Sequence, residues 1–268
     1  IRQSLGLDQP IPVRYVKWLT AFVSGDLGYS FASRSPVIGL LGQRLGTTLA
    51  VVGVAYLVSI LLAVPLGLLA ALRPYSLFDQ ICTTFAFIGF SLPTFFTGLL
   101  FIIVFSVQLG WFPFIYNSTL EVKDWPSLLA QVRQSILPIT VLALFQTATL
   151  MRFMRSAALE QVYRDYVRTA RSKGLREWTV VGRHVLRNAL IPVVTLIALG
   201  IPSVFTGALI TEQVFRVPGI GSLLVSSIQT SDTPVVMAIT FLYAILIVTF
   251  NLIADLLYSA LDPRVRYA

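Results

Sequence analysis

Charged side chains are scarce in this sequence. Asp, Glu, Lys and Arg make up only 12 % of its 268 residues, while 56 % of the residues are hydrophobic. The mean hydropathy is +0.81. An ordinary soluble domain carries about 25 % charged residues, so a chain this poor in charge cannot cover a water-facing surface. The composition excludes an ordinary soluble domain and indicates an integral membrane protein.

Cysteine and histidine are almost absent, since Cys82 and His184 are the only residues of their types. A disulfide needs two cysteines, and a structural zinc site needs about four Cys or His ligands. The chain also lacks the G-x-x-x-x-G-K-S/T phosphate-binding loop, and GIGSLL at 219–224 lacks the third glycine of a dinucleotide-binding turn. We expect no metal site, no catalytic residues and no ATP hydrolysis by this chain itself.

Five long stretches contain no charged residue. Each reaches or approaches the roughly 20 residues that a helix needs to cross the hydrocarbon core. Inside lipid the backbone must hydrogen-bond to itself, so we expect an all-α polytopic fold. The second helix is expected to begin near Asp79 and to be kinked at Pro93. The stretches are 47–72, 83–109, 134–151, 188–211 and 233–254.

The basic residues are concentrated in one segment, residues 152–187, called the basic loop below. It carries nine of the 20 Lys and Arg residues and only three acidic ones. By the positive-inside rule this loop is cytoplasmic. Residues 1–46 then form an extracytoplasmic segment, 47–268 form the transmembrane core, and the C-terminus lies inside. An outside N-terminal segment implies an earlier crossing, so we expect six spans in a full-length protein and five in this sequence.

The pattern within the basic loop predicts a helix, a glycine break and a second helix. Apolar residues recur at helical spacing from Leu159 to Ala170. On another face Asp165 is spaced to pair with Arg168 along the helix. Gly174 is expected to end the first helix, and the second is expected to start near Trp178.

Three interpretations of this loop compete. It is an amphipathic anchor on anionic lipid, a DNA-binding helix-turn-helix, or an element that docks into a cytoplasmic partner. DNA binding is disfavoured because both ends of the loop are tied to the bilayer within a few residues, and we expect no nucleic-acid partner.

The stretch DYVRTARSKGLREWTVVGRHVLRNALIP, residues 165–192, resembles the coupling loop of ATP-binding-cassette importer permeases. That signature is Glu-Ala-Ala, three residues, Gly, nine residues and Ile-x-Leu-Pro. The triplet falls on 168–170, the glycine on Gly174 and the terminal element on 184–187. The departures Arg168, Thr169 and Arg187 match the peptide/nickel branch. Further motifs of that branch are LGLDQPIPVRY (5–15), GDLGYSFASRSPV (25–37), VPGIG (217–221) and LDPRVR (261–266).

The resemblance implies a type I importer permease in the cytoplasmic (inner) membrane of a prokaryote. Such a subunit pairs with a second, usually non-identical permease. Two cytoplasmic ATPase subunits bind ATP and Mg and receive the coupling loops, and an extracytoplasmic binding protein delivers the substrate. His184 is either a polar brace toward the partner or a side chain packed between the loop helices. The resemblance and the loop pattern together place the ATPase contact at Arg164, Asp165, Arg168, Thr169, Ala170, Gly174, His184 and Leu186.

Polar residues near the spans are candidates for the substrate pathway or the binding-protein contact. These are Gln146, Glu212, Phe215 and Arg216. The substrate class stays open between dipeptides, longer peptides, glutathione-like compounds and nickel complexes, with peptides favoured. A membrane-embedded enzyme is the rival of a different class, but it requires paired carboxylates or metal ligands at membrane depth, and the sequence offers neither.

Overall fold

A computed structural model describes residues 9–261. Most of this range is helical, and loops connect the helices. Wide π-type turns continue three of the helices, at Leu49–Gly53, Ile102–Gln108 and Val181–Leu186. The α-helices are α1 Ile11–Val23, α2 Val37–Thr48, α3 Val54–Leu72, α4 Leu77–Ser91, α5 Thr94–Phe101, α6 Trp125–Val162, α7 Asp165–Ser172, α8 Glu177–Val180, α9 Arg187–Phe215, α10 Ile220–Gln229 and α11 Thr233–Leu261.

The described helices confirm the expected all-α polytopic fold. Four continuous helices are long and apolar enough to cross a membrane: Val37–Leu72, Trp125–Val162, Glu177–Pro202 and Thr233–Ser259. Two bent pairs pass the same test, Leu77–Ser91 with Thr94–Gln108 and Ala208–Phe215 with Ile220–Gln229. All five charge-free stretches fall on these helices, and 83–109 falls on the first bent pair.

The break at Pro93 is sharper than the predicted kink, because the two halves of the pair meet at 103°. Leu92 is extended, with φ −89° and ψ 127°. A residue before proline is pushed out of the helical region by the proline ring, and proline has no N–H to continue the ladder. The predicted start near Asp79 is close, since Ser76 caps α4 by accepting the Asp79 N–H.

One other prediction about helix limits is wrong. The apolar pattern from Leu159 to Ala170 is not one helix, because α6 ends at Val162 and Arg164 is extended before α7 begins. This change of direction turns Val167 into the core while Tyr163 stays 70 % exposed. The proposed boundary of the outer segment at residue 46 lies within the continuous helix Val37–Leu72, and the boundary stays a prediction.

The core sits where α3, α6 and α9 pack together, with further contacts from α4, α5 and α11. The approach of α3 to α6 is close at Gly67. A Cβ atom at that position would lie 2.7 Å from the Met151 carbonyl oxygen. Small residues allow helix backbones to approach in this way where lipid supplies no hydrophobic driving force.

An ion pair joins α4 to α6 at the end of the bundle that carries the basic loop. Arg155 donates from Nε to Asp79 Oδ1 at 2.5 Å and from Nη2 to Oδ2 at 2.7 Å. The Tyr75 N–H also donates to Asp79 Oδ2, at 2.8 Å. The Asp79 side chain is only 4 % exposed, so its charge depends on these donors.

We predict that Asp79→Asn lowers the free energy of unfolding by about 3 kcal/mol, because it leaves the Arg155 guanidinium without its carboxylate. Chemical unfolding in detergent measures the change. The control is Glu121→Gln, which removes the solvent-exposed Lys123–Glu121 pair and is expected to cost less than about 1 kcal/mol. Equal losses in the two variants would contradict the prediction.

Candidate coupling site

The basic loop folds into a short helix, a turn and a second helix that leads into a span, as its pattern predicts. Helix α7 ends in a turn in which the Gly174 N–H donates to the Arg171 carbonyl at 2.9 Å. Gly174 has φ +75°. L-residues avoid this left-handed region and glycine does not, so the glycine sets the reversal between α7 and α8. The π-type turn Val181–Leu186 then joins α8 to α9.

The underside of the loop is anchored in the protein. Val167, Val180 and Val185 are fully buried, and Ala170 is 5 % exposed. They pack in one cluster with Met154 and Ala158 of α6 and with Ala189 and Val193 of α9. Because one apolar cluster holds α6, α7, α8 and α9 together, a force applied to the loop reaches both long helices.

The remaining surface of the loop is exposed and carries polar side chains beside the large apolar side chains of Tyr163 and Trp178. Arg164, Asp165, Arg168, Thr169 and Gly174 all lie on this surface. The predicted pairing of Asp165 with Arg168 is wrong, because within the described chain neither residue forms an ion pair. Two pairs do form on this side, Arg164 with Glu160 and Arg171 with Glu177.

The pair between Arg171 and Glu177 spans the glycine turn. Arg171 donates from Nη2 to Glu177 Oε1 at 2.7 Å. The hydrogen bond with Glu177 raises the pKa of the Arg171 guanidinium above its ordinary value. This pair braces α7 against the start of α8, and its exposure keeps its contribution to stability small.

Three of the predicted contact residues lie on the inner side of the loop. Ala170 belongs to the buried cluster, and Leu186 packs against it. His184 is half-buried, and its carbonyl accepts the Asn188 side-chain N–H at 2.7 Å. These residues lie behind the exposed surface and support it.

Of the four residues predicted for the pathway or the binding protein, three lie at the end of α9, namely Glu212, Phe215 and Arg216, and Gln146 lies in α6. Gln146 is half-buried in α6, and Arg216 is exposed at the end of α9 with φ +53°. Glu212 and Phe215 are 1 % and 3 % exposed. Both side chains are packed within this chain, and their place in the pathway or the binding-protein contact stays a prediction.

Sequence reasoning missed two polar contacts that organise the helices. One is the Asp79–Arg155 pair, whose only signal was a charge at the edge of an apolar run. The other ties residues 30–32 to Asp232, whose carboxylate accepts the Phe31 N–H at 3.0 Å and the Ala32 N–H at 3.2 Å. Burial raises the pKa of Asp232, but the bonds from Ser30, Phe31 and Ala32 outweigh it and hold the pKa below its usual value.

These features define a class of protein, a polytopic helical membrane subunit that presents a basic helix–glycine–helix element at one end of its bundle. Residues 63–267 match the family described as binding-protein-dependent transport system inner membrane component. The chain belongs to this family. Its members are permease components of transport systems, so the prediction of a transporter subunit, and not an enzyme, is confirmed.

Relatives extend the match to almost the whole chain. It is 43 % identical over 266 residues to the oligopeptide transport system permease protein AppB of Bacillus subtilis, covering 99 % of this chain and 84 % of that protein. It is 40 % identical over 267 residues to a putative peptide permease protein of Brucella suis, covering 99 % and 83 %.

A solved structure supports the fold. An amino acid ABC transporter with histidines superposes with a TM-score of 0.63 at 14 % identity, covering 83 % of this chain and 94 % of that one. The likeness covers most of both chains and, at this identity, concerns the fold alone.

We predict that Gly174→Ala destabilises the loop by about 1–2 kcal/mol, because alanine is strained at a left-handed φ. Hydrogen exchange of the α7 and α8 amides measures the effect. The control is Gly182→Ala in the same loop, where a Cβ atom meets nothing within 4 Å and alanine favours the helix. Faster exchange in Gly182→Ala than in Gly174→Ala would contradict the prediction.

Proposed function

We propose that this chain is the transmembrane permease subunit of an ATP-driven importer that moves di- and oligopeptides across the cytoplasmic membrane. Membership of the transport family supports the importer role, and relatives at 40–43 % identity with peptide-permease names support the substrate class. The observation that carries the coupling role is the basic loop, with its polar face exposed and its underside buried against α6 and α9.

In this proposal two cytoplasmic ATPase subunits hold ATP and Mg, and each permease inserts its loop into one of them. A second permease, non-identical to this one, completes the pathway, and an extracytoplasmic binding protein delivers the peptide. The basic loop and the C-terminus lie inside, and residues 1–46 lie outside. The partner ATPase subunits, and not this chain, hydrolyse the ATP.

The contact with the ATPase is proposed to use the exposed residues Arg164, Asp165, Arg168 and Thr169. Gly174 sets the angle of the contact, while Ala170, His184 and Leu186 support it from behind. When the ATPases close, their movement is passed to α7, and the shared apolar cluster carries it into α6 and α9. The buried face is close-packed, so the displacement is transmitted as a rigid-body movement.

We predict that deletion of this gene abolishes uptake of labelled peptides and leaves uptake of nickel unchanged. Cells with and without the gene are offered a labelled dipeptide, a labelled longer peptide and nickel in parallel. Loss of nickel uptake alone would replace the peptide assignment with a nickel-chelate importer. Unchanged uptake of all three would contradict the proposed substrate class, and a labelled glutathione-type compound would be offered next.

We predict that Arg168→Glu reduces peptide uptake at least about tenfold, because a reversed charge at a docking surface costs more than 1.4 kcal/mol. ATP hydrolysis and peptide uptake are measured together on the reconstituted complex. The control is Arg73→Glu, an equal charge change at an exposed residue just after α3 and outside the basic loop. Normal transport by Arg168→Glu would place the ATPase contact elsewhere.

A further inference from the structure

A carboxylate is buried at the end of the bundle opposite the basic loop. Glu212 is 1 % exposed and lies within the last turn of α9. Among the described residues no ion pair involves Glu212, and the positive charge of Arg44 acts on it only from beyond ion-pair distance. An ionisable group in this position is costly and needs a compensating arrangement of donors.

The donors come from α2 and from the start of α10. Thr48 Oγ1 donates to Glu212 Oε1 at 2.8 Å, and the Ser222 N–H donates to Oε2 at 2.9 Å. Thr48 Oγ1 also accepts the Ile220 N–H at 2.8 Å. The residue before α10 is Gly219, which offers no side chain to cap the helix. The Glu212 carboxylate, aided by Thr48, therefore satisfies the free N–H groups at the start of α10.

This arrangement explains both glycines of the VPGIG motif, residues 217–221. A Cβ atom on Gly219 would lie 2.0 Å from Glu212 Oε1. A Cβ atom on Gly221 would lie 2.6 Å from the Leu209 Cα atom and 2.9 Å from Glu212 Oε2. The turn closes when the Val217 N–H donates to the Glu212 carbonyl at 2.8 Å. The two glycines of the motif therefore leave the space that the Glu212 carboxylate occupies.

The same contacts connect three parts of the molecule. They fix α10 against α9 at a bend of 81°. They tie this bent pair to Thr48, the last residue of α2, which continues into the long helix Val37–Leu72. Ile220 also packs with Val37, Val235 and Ile239, so α2, α10 and α11 share an apolar cluster beside the polar one. The bent pair and the start of the long helix are held as one unit.

We propose that Glu212 is a positioning residue for transport. Through Thr48 it holds the bent α9–α10 pair against the first long helix. The pair then moves with that helix and acts as a gate at the outer end of the pathway. The proposal rests on the importer function proposed above. It concerns how Glu212 acts within the chain, and the predicted place of Glu212 in the pathway or the binding-protein contact stays a prediction.

The test compares Thr48→Val, which removes the hydroxyl at nearly constant shape, with Thr48→Ser, which keeps it. Glu212→Gln is the second variant. Each is introduced into the complete transporter together with Ser226→Cys, which places an exposed thiol on α10. A membrane-impermeant maleimide reports the accessibility of that thiol in the nucleotide-free and ATP-bound states. The same complex without Ser226→Cys gives the background from the buried Cys82.

The proposal expects the Ser226→Cys complex to label at different rates in the two states. Thr48→Val should abolish that difference and lower the peptide moved per ATP hydrolysed about tenfold, as expected for losing a hydrogen bond to a charged group. Thr48→Ser should retain both properties. A purely structural role would lower the yield of assembled complex and leave both properties of the assembled fraction unchanged, which would overturn the proposal.

Three further outcomes are decisive. If Glu212→Gln fails to assemble, the comparison of Thr48→Val with Thr48→Ser tests the proposal, because both of these variants preserve the buried carboxylate.

Gly219→Ala should reproduce the Thr48→Val defect, whereas Gly46→Ala should not, since a Cβ atom at Gly46 meets nothing within 4 Å. Absence of peptide uptake by the unaltered complex would reject the proposed substrate, while the labelling difference would still test the gate.

Discussion

The absence of water inside a bilayer is the constraint on which the rest of this structure depends. Inside the hydrocarbon core every charge and every interrupted helix must find its hydrogen-bond partners within the protein or in a water-filled cavity. Asp79 is matched by Arg155, and Glu212 is matched by Thr48 and the start of α10. Each match joins helices that are distant in sequence, so the few polar groups determine how the apolar helices are arranged.

The two ends of the bundle meet this constraint in different ways. At the basic end an exposed polar surface is carried on a buried apolar underside, and the whole loop is joined to α6 and α9 through one cluster. At the opposite end the polar side chains of Thr48 and Glu212 are buried inside the protein, and other residues form the exposed surface around them. This asymmetry fits the proposed importer, in which one end receives force from a soluble partner and the other opens and closes around a substrate.

The spans, the basic loop and its glycine break were predictable from the sequence, because each depends on neighbouring residues. Charge-free runs specify helices, a cluster of arginines specifies a side of the membrane, and Gly174 specifies a reversal in the chain. The interruption at Tyr163 was not predictable, since a helical periodicity continues through it. Only the packing of Val167 and Ala170 against Met154 and Ala158 requires the chain to turn there.

By itself the sequence determined that this protein is a polytopic helical membrane protein with a basic helix–glycine–helix loop, and its motifs indicated the family. The tertiary structure alone decided what its isolated charges do. Glu212 reads in the sequence as a polar residue at the outer end of a span, yet it is buried against Thr48, 164 positions away. Contacts over such separations leave no periodic trace, because they depend on how whole helices pack and not on the spacing of residues along one of them.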